Sequence, residues 1–124
     1  MNAKAGGNSA AKSERLGTYA EFWPHYLREH SKPVTRAWHY FGTSMAIACI
    51  VAAIVSANAW WLLAAAVCGY GPAWIGHLFV EKNRPATFQY PFWSLFSDFR
   101  MYAAWLNGRI GRELERANAA RRLA

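Results

Sequence analysis

No charged residue occurs between positions 37 and 80, a run of 44 residues in which apolar side chains predominate. A helix crossing a bilayer needs about 20 apolar residues, so the run predicts two spans joined by a turn. Its first part, residues 44–55, is apolar on every side, as a lipid-facing or fully buried helix must be. The pattern breaks at Ser56-Ala57-Asn58-Ala59, and Asn58 lies at the midpoint of the uncharged run. Asparagine favours turns and tolerates a left-handed backbone. Trp60 and Trp61 follow, where an aromatic belt at the far membrane surface belongs. A second apolar run, residues 62–68, leads into Gly69-Tyr70-Gly71-Pro72, and the proline predicts a kink there. The pattern therefore predicts an all-α membrane protein: a two-helix transmembrane hairpin over about 34–80, flanked by interfacial amphipathic helices. The alternative is a buried helical hairpin in a soluble protein, for which the remaining chain is too short an enclosure.

The flanks have their own periodicity. Residues 18–30 predict a short amphipathic helix with Tyr19, Phe22, Trp23, Tyr26 and Leu27 on one side. Ser31 is a good helix cap and Pro33 suits a first helical turn, so the first span is expected from near Pro33 to about Ala57. A polar, proline-marked connection follows from Glu81 to Pro91. Residues 92–106 are again apolar and aromatic but include Asp98 and Arg100, which predicts an interfacial helix rather than a third span. Residues 1–17 lack an apolar core and read as a mobile segment, not a signal peptide. Residues 18–107 then form one membrane domain, and 108–124 a basic C-terminal tail, helical or frayed.

Charge adds orientation. The formal net charge is +7, and every charged side chain lies outside the uncharged run. Lysine and arginine precede and follow the run, while the Asn58 turn has none. The positive-inside rule makes the chain a multi-pass protein with both termini cytoplasmic. The basic balance suits an anionic bilayer surface. Nucleic acid is not expected as a partner, because no recognition motif accompanies the charge. Self-association is left open. A hydrophobic content of 54% excludes a disordered class, and two cysteines do not make a disulfide scaffold.

The candidate chemistry lies in the histidines. His39 is 19 residues before Asn58 and His77 is 19 after it. In an antiparallel hairpin both imidazoles then lie at the same depth, roughly 28 Å from the turn. Glu81, four residues after His77, is expected on the same helix face one turn further out. His30, just before the Ser31-Lys32-Pro33 turn, can fold back over the same mouth. Ionisable groups at a membrane edge are costly unless paired or used, and histidine with carboxylate suits iron, zinc or copper. Interface anchoring is the plainer role for such histidines, above all for His25 beside Pro24 and Tyr26. Two further readings stay open: a non-enzymatic membrane scaffold or lipid-binding protein, and bis-histidine haem binding.

The segment His30-Ser31-Lys32-Pro33-Val34-Thr35-Arg36-Ala37-Trp38-His39-Tyr40-Phe41-Gly42, with the later Gly76-His77-Leu78-Phe79-Val80-Glu81-Lys82-Asn83-Arg84-Pro85-Ala86, resembles one family. It is similar to small membrane proteins once listed as of unknown function, whose fungal member is a 2-hydroxy fatty acid dioxygenase. The resemblance runs from about Tyr26 to Phe96, the hairpin matching in hydrophobic character alone. It implies an Fe(II)-dependent α-oxidation in which dioxygen shortens a 2-hydroxy fatty acid by one carbon. Carried over by motif, His30, His39 and His77 are iron ligands, and Glu81 is a fourth ligand or orients an imidazole. Such a set leaves positions for a chelating 2-hydroxycarboxylate and for dioxygen. Arg36, Lys82 and Arg84 are candidates to attract the carboxylate of the fatty-acid-like amphiphile, or are plain topology signals. The chain is shorter than the fungal enzyme, with a single hairpin and without a further histidine. That short form looks bacterial, and implies the inner membrane.

Overall fold

The computed structural model describes residues 15–123, so most of the segment expected to be mobile, 1–17, lies outside the described residues. The described chain is helical, without strands: α1 Tyr19–Arg28, α2 Pro33–Ser56, α3 Trp60–Ile75 continuing as a π-helical segment Gly76–Glu81, a 3-10 turn Ala86–Phe88, α4 Pro91–Leu106 and α5 Ile110–Leu123.

Helices α2 and α3 are antiparallel neighbours because both present small residues to the seam. Gly42, Ala46, Cys49 and Ala53 of α2 are buried, as are Ala65, Ala73 and Gly76 along α3 and its extension. Small side chains at helical spacing allow the backbones to approach closely. Closest approach is at Gly42, where an added Cβ would lie 2.8 Å from the Gly69 carbonyl oxygen and 3.0 Å from that of Cys68. Pro72 has no N–H for the Cys68 carbonyl, and Gly42 packs over the oxygen left free. Pro72 is otherwise accommodated inside α3. The backbone irregularity expected at 69–72 falls instead at the π-helical turn from Gly76.

The turn between the two helices also differs in detail from the expectation. The left-handed residue is Ala57 (φ 54°), while Asn58 accepts the Trp60 N–H through its side-chain oxygen at 3.0 Å, an Asx turn that leads into α3.

Both helices are long and apolar enough to cross a membrane. Much of their apolar surface is uncovered: Ile54, Val55, Leu63, Val67 and Phe79 are all more than half exposed. Only 39% of the apolar window of α2 and 22% of that of α3 are buried against the rest of the protein.

At the end away from the turn, α1, α4 and α5 build an aromatic core with Phe22, Trp23, Tyr26, Leu27, Tyr40, Tyr90 and Met101. The basic C-terminal stretch is a helix docked on α1: Trp23 Nε1 donates to Glu113 at 3.0 Å, and Arg28 Nη1 to the Ala117 carbonyl. Residues 15–17 are also held, Arg15 donating to the Gln89 carbonyl and the Leu16 N–H to the Tyr90 hydroxyl.

Candidate metal centre

Three imidazoles converge where α1, α2 and the π-helical segment meet. His30 comes from the turn after α1, His39 from the second turn of α2, and His77 from the start of the π-helical segment. The ring centroids are 4.3 Å (His30–His39), 4.4 Å (His30–His77) and 4.9 Å (His39–His77) apart, each pair nearly perpendicular. Their exposures are 1%, 4% and 2%, so they are buried together. One ligand nitrogen from each lies within 4.8 Å of the other two, and the cluster could hold a metal ion.

Which nitrogens point inward follows from what the others touch. His30 Nδ1 is 2.6 Å from the Tyr26 carbonyl oxygen, and His39 Nδ1 is 3.1 Å from that of Thr35. His77 Nδ1 is 2.7 Å from Asn83 Oδ1. The Asn83 amide has its orientation set from the other side, where Nδ2 donates to the Glu29 carbonyl at 3.0 Å. All three partners are oxygens that can only accept, so each Nδ1 bears the proton and each Nε2 keeps its lone pair. His30 Nε2 and His39 Nε2 are then two acceptors 2.9 Å apart. Two lone pairs at that distance repel unless a cation lies between them. Two metal–nitrogen bonds of about 2.0–2.1 Å at about 90–109° separate their nitrogens by about 2.8–3.4 Å, a range that includes the observed 2.9 Å, so the donor set fits a metal ion. Burial, and then the neighbouring His39 and His77, hold the His30 imidazole well below its ordinary pKa. That keeps the ligand neutral and its nitrogen available.

Local structure explains the inward aim. The Tyr26 carbonyl is free for a side chain because α1 ends there: the His30 N–H turns to Leu27 instead. At His77 the helix widens to i→i+5 bonding, a feature that recurs at functional sites. Among the described residues, Glu81 makes no hydrogen bond to any of the three histidines. The Glu81 carboxylate serves the start of α2, accepting from Ser31 Oγ (2.6 Å), the Lys32 N–H (3.1 Å) and Thr35 Oγ1 (2.7 Å). Ser31, expected to cap α2 itself, instead bonds the residue that does.

The basic candidates spread over the rim. Arg36 Nη1 donates to the carbonyls of His30 and Ser31, tying down the turn that presents His30. Lys82 is exposed in the left-handed conformation that ends the π-helical segment, and Arg84 lies over the Phe88 ring. His25 is outside the cluster, in a separate cleft with Glu29 and Arg84.

Two residues of this neighbourhood were not singled out from sequence. Asn83 sets the tautomer of His77; its only sequence signal is its place in the Glu81-Lys82-Asn83-Arg84-Pro85 stretch. Asp98, noted only as a charge that disfavours a span, accepts a short hydrogen bond from the Tyr26 hydroxyl. The Tyr26 ring in turn stacks on His30 at 4.1 Å.

Comparison with known proteins agrees with the geometry. A family model described as 2-hydroxy-palmitic acid dioxygenase Mpo1-like matches residues 16–110, which spans α1 to the start of α5 and includes all three histidines. No curated protein and no solved structure matches the chain. With most of its length matched, the chain belongs to the 2-hydroxy-palmitic acid dioxygenase Mpo1-like family.

Proposed function

We propose that the protein is a membrane-bound, Fe(II)-dependent dioxygenase that shortens 2-hydroxy fatty acids by one carbon. The observation that carries this reading is three buried imidazoles with ligand nitrogens within 4.8 Å of one another, each with its Nδ1 against a protein oxygen. An anchoring role needs imidazoles at the surface, and these are buried. A nitrogen-rich set with open positions suits non-haem iron. When bound there, iron supplies the redox chemistry with dioxygen. The protein's own residues do the rest. Tyr26, Thr35 and Asn83 fix the tautomers, and the aromatic core around Tyr26 keeps bulk water away. Arg36, Lys82 and Arg84 give the rim a positive field for a carboxylate.

The membrane placement belongs to the same reading. Uncovered apolar faces on α2 and α3 meet lipid, and α4 lies along the interface. Because α2 and α3 are antiparallel, the start of α2 and the end of the π-helical segment share one end with the basic residues. That end is cytoplasmic by the positive-inside rule, and the address is the bacterial inner membrane.

The test is metal analysis of untagged protein purified in detergent without oxygen and reconstituted with iron(II), beside His77→Ala. About one iron per chain is expected for a single site of this kind, lost in the variant, with turnover of 2-hydroxypalmitic acid that consumes oxygen. No bound metal in the wild type overturns the reading.

A further inference from the structure

Beside the histidine cluster is a cleft between α2, α3 and α4. Small residues Ala46, Gly69 and Ala73 form its floor, and Leu95 and Phe99 its outer wall; His39 and Asp98 both line it. Its volume is about 50 Å³. At about 10–15 Å³ per water-sized group this holds about three to five such groups, the size of a polar head and not of an acyl chain. Leu95 and Phe99 are 43% and 39% exposed, so the wall is continuous with the apolar outside of the protein. A single-chain amphiphile therefore fits with its head inside and its tail along α4 in lipid.

Asp98 is the one acidic group in this wall. Its Oδ1 accepts from Tyr26, and among the described residues no further hydrogen bond to the carboxyl is seen. Burial pushes the carboxyl up to about 7. A carboxyl with one oxygen pinned by a buried tyrosine and a second oxygen unclaimed is a reader for a hydroxyl group. Asp98 lies outside the group of side chains that could hold the metal.

We propose that Asp98 recognises the 2-hydroxyl of the substrate: the cleft it shares with His39 takes the head of a 2-hydroxy fatty acid, whose hydroxyl bonds the Asp98 carboxyl. Tyr26 is the positioning residue, holding the carboxyl in place while its ring backs His30. The proposal rests on the function given above and names the feature that selects hydroxylated over plain chains.

The experiment is competition binding of 2-hydroxypalmitic acid and palmitic acid to the full chain in nanodiscs, against a fluorescent fatty acid, with bound iron measured in each sample. At about pH 8.5, where the Asp98 carboxyl is ionised, a hydrogen bond to a charged group predicts that the wild type prefers the hydroxylated chain by about tenfold or more. Asp98→Leu brings the preference below about twofold while palmitic acid binding and iron content stay at wild-type levels. Asp98→Asn, nearly the same size, lowers it at least about threefold, because a neutral bond is weaker than a charge-assisted one. An unchanged preference in either variant overturns the assignment, as does loss of iron together with the preference. A wild type that prefers the hydroxylated chain but holds no iron sinks the oxygenase reading and leaves Asp98 in its role. A wild type that holds iron and shows no preference sinks Asp98 alone.

Discussion

Asn83→Ala tests the central claim, that protein oxygens lock the imidazoles with their Nε2 atoms inward. The side chain makes two hydrogen bonds, accepting from His77 Nδ1 at 2.7 Å and donating to the Glu29 carbonyl at 3.0 Å. Removing it frees the His77 ring to rotate and to take either tautomer. Loss of such an outer partner typically costs 10–100-fold in metal affinity, or about 1.4–2.7 kcal/mol. The lost tie to Glu29 costs about 1 kcal/mol of fold stability besides. The two effects separate experimentally: affinity is read by titrating anaerobic protein with iron(II) against a chromophoric chelator, and stability by thermal unfolding of the metal-free protein. Asn83→Asp is the control, since a carboxylate still accepts from His77 Nδ1 and preserves the tautomer. Its affinity is expected within a few-fold of wild type or tighter, at a cost in stability from facing the Glu29 carbonyl. If Asn83→Ala binds iron as tightly as wild type, hydrogen bonding does not hold His77 in place and the tautomer argument fails.

Three further outcomes are expected. Gly42→Ala drives a methyl into the Gly69 and Cys68 carbonyls and costs about 1–3 kcal/mol, whereas Gly71→Ala, with nothing within 4 Å, is neutral or slightly stabilising; equal effects in detergent unfolding would remove the close-approach explanation of the seam. Glu81→Ala removes three bonds at the start of α2 and lowers stability by about 1–2 kcal/mol while iron content persists; loss of the iron would place Glu81 among the ligands. Asp98 has an ordinary pKa of 3.8 and one of about 7 in the fold, so between these values the folded state holds a proton that the unfolded state has released. Stability then falls as pH rises from about 4 to 7, by up to about 4 kcal/mol, and levels off above. Asp98→Asn should lack this component, and identical stability–pH curves for the two proteins would show that the carboxyl is not protonated in the fold.

Much of the architecture was legible because it depends on local composition. A 44-residue stretch without charge has few stable outcomes besides two long apolar helices, and the observed helices start at Pro33 and turn at Ala57-Asn58. The amphipathic stripe of Tyr19, Phe22, Trp23, Tyr26 and Leu27 likewise forms α1 and packs into the aromatic core. The equal spacing of His39 and His77 about Asn58 correctly placed the two rings opposite each other, since depth along paired helices is a matter of counting. The wide turn at Gly76 was not legible. It has no periodic signature. Proline at position 72 drew the expected irregularity to the wrong place because the close approach of Gly42 could not be seen.

The sequence alone determined the helical class, the two apolar segments, the charged rim and three histidines able to reach one end, because each follows from periodicity, length and count. Tertiary structure decided how those parts act. It chose the nitrogen that each imidazole presents, through the Tyr26 and Thr35 carbonyls and the Asn83 side chain, and it sent Glu81 to cap α2. It also set Asp98 of α4 into the same cleft as His39 of α2, residues 59 positions apart. These outcomes rest on hydrogen bonds and contacts only a few ångströms long between segments distant in the chain. Their formation depends on helix rotation and backbone widening, which composition does not encode locally.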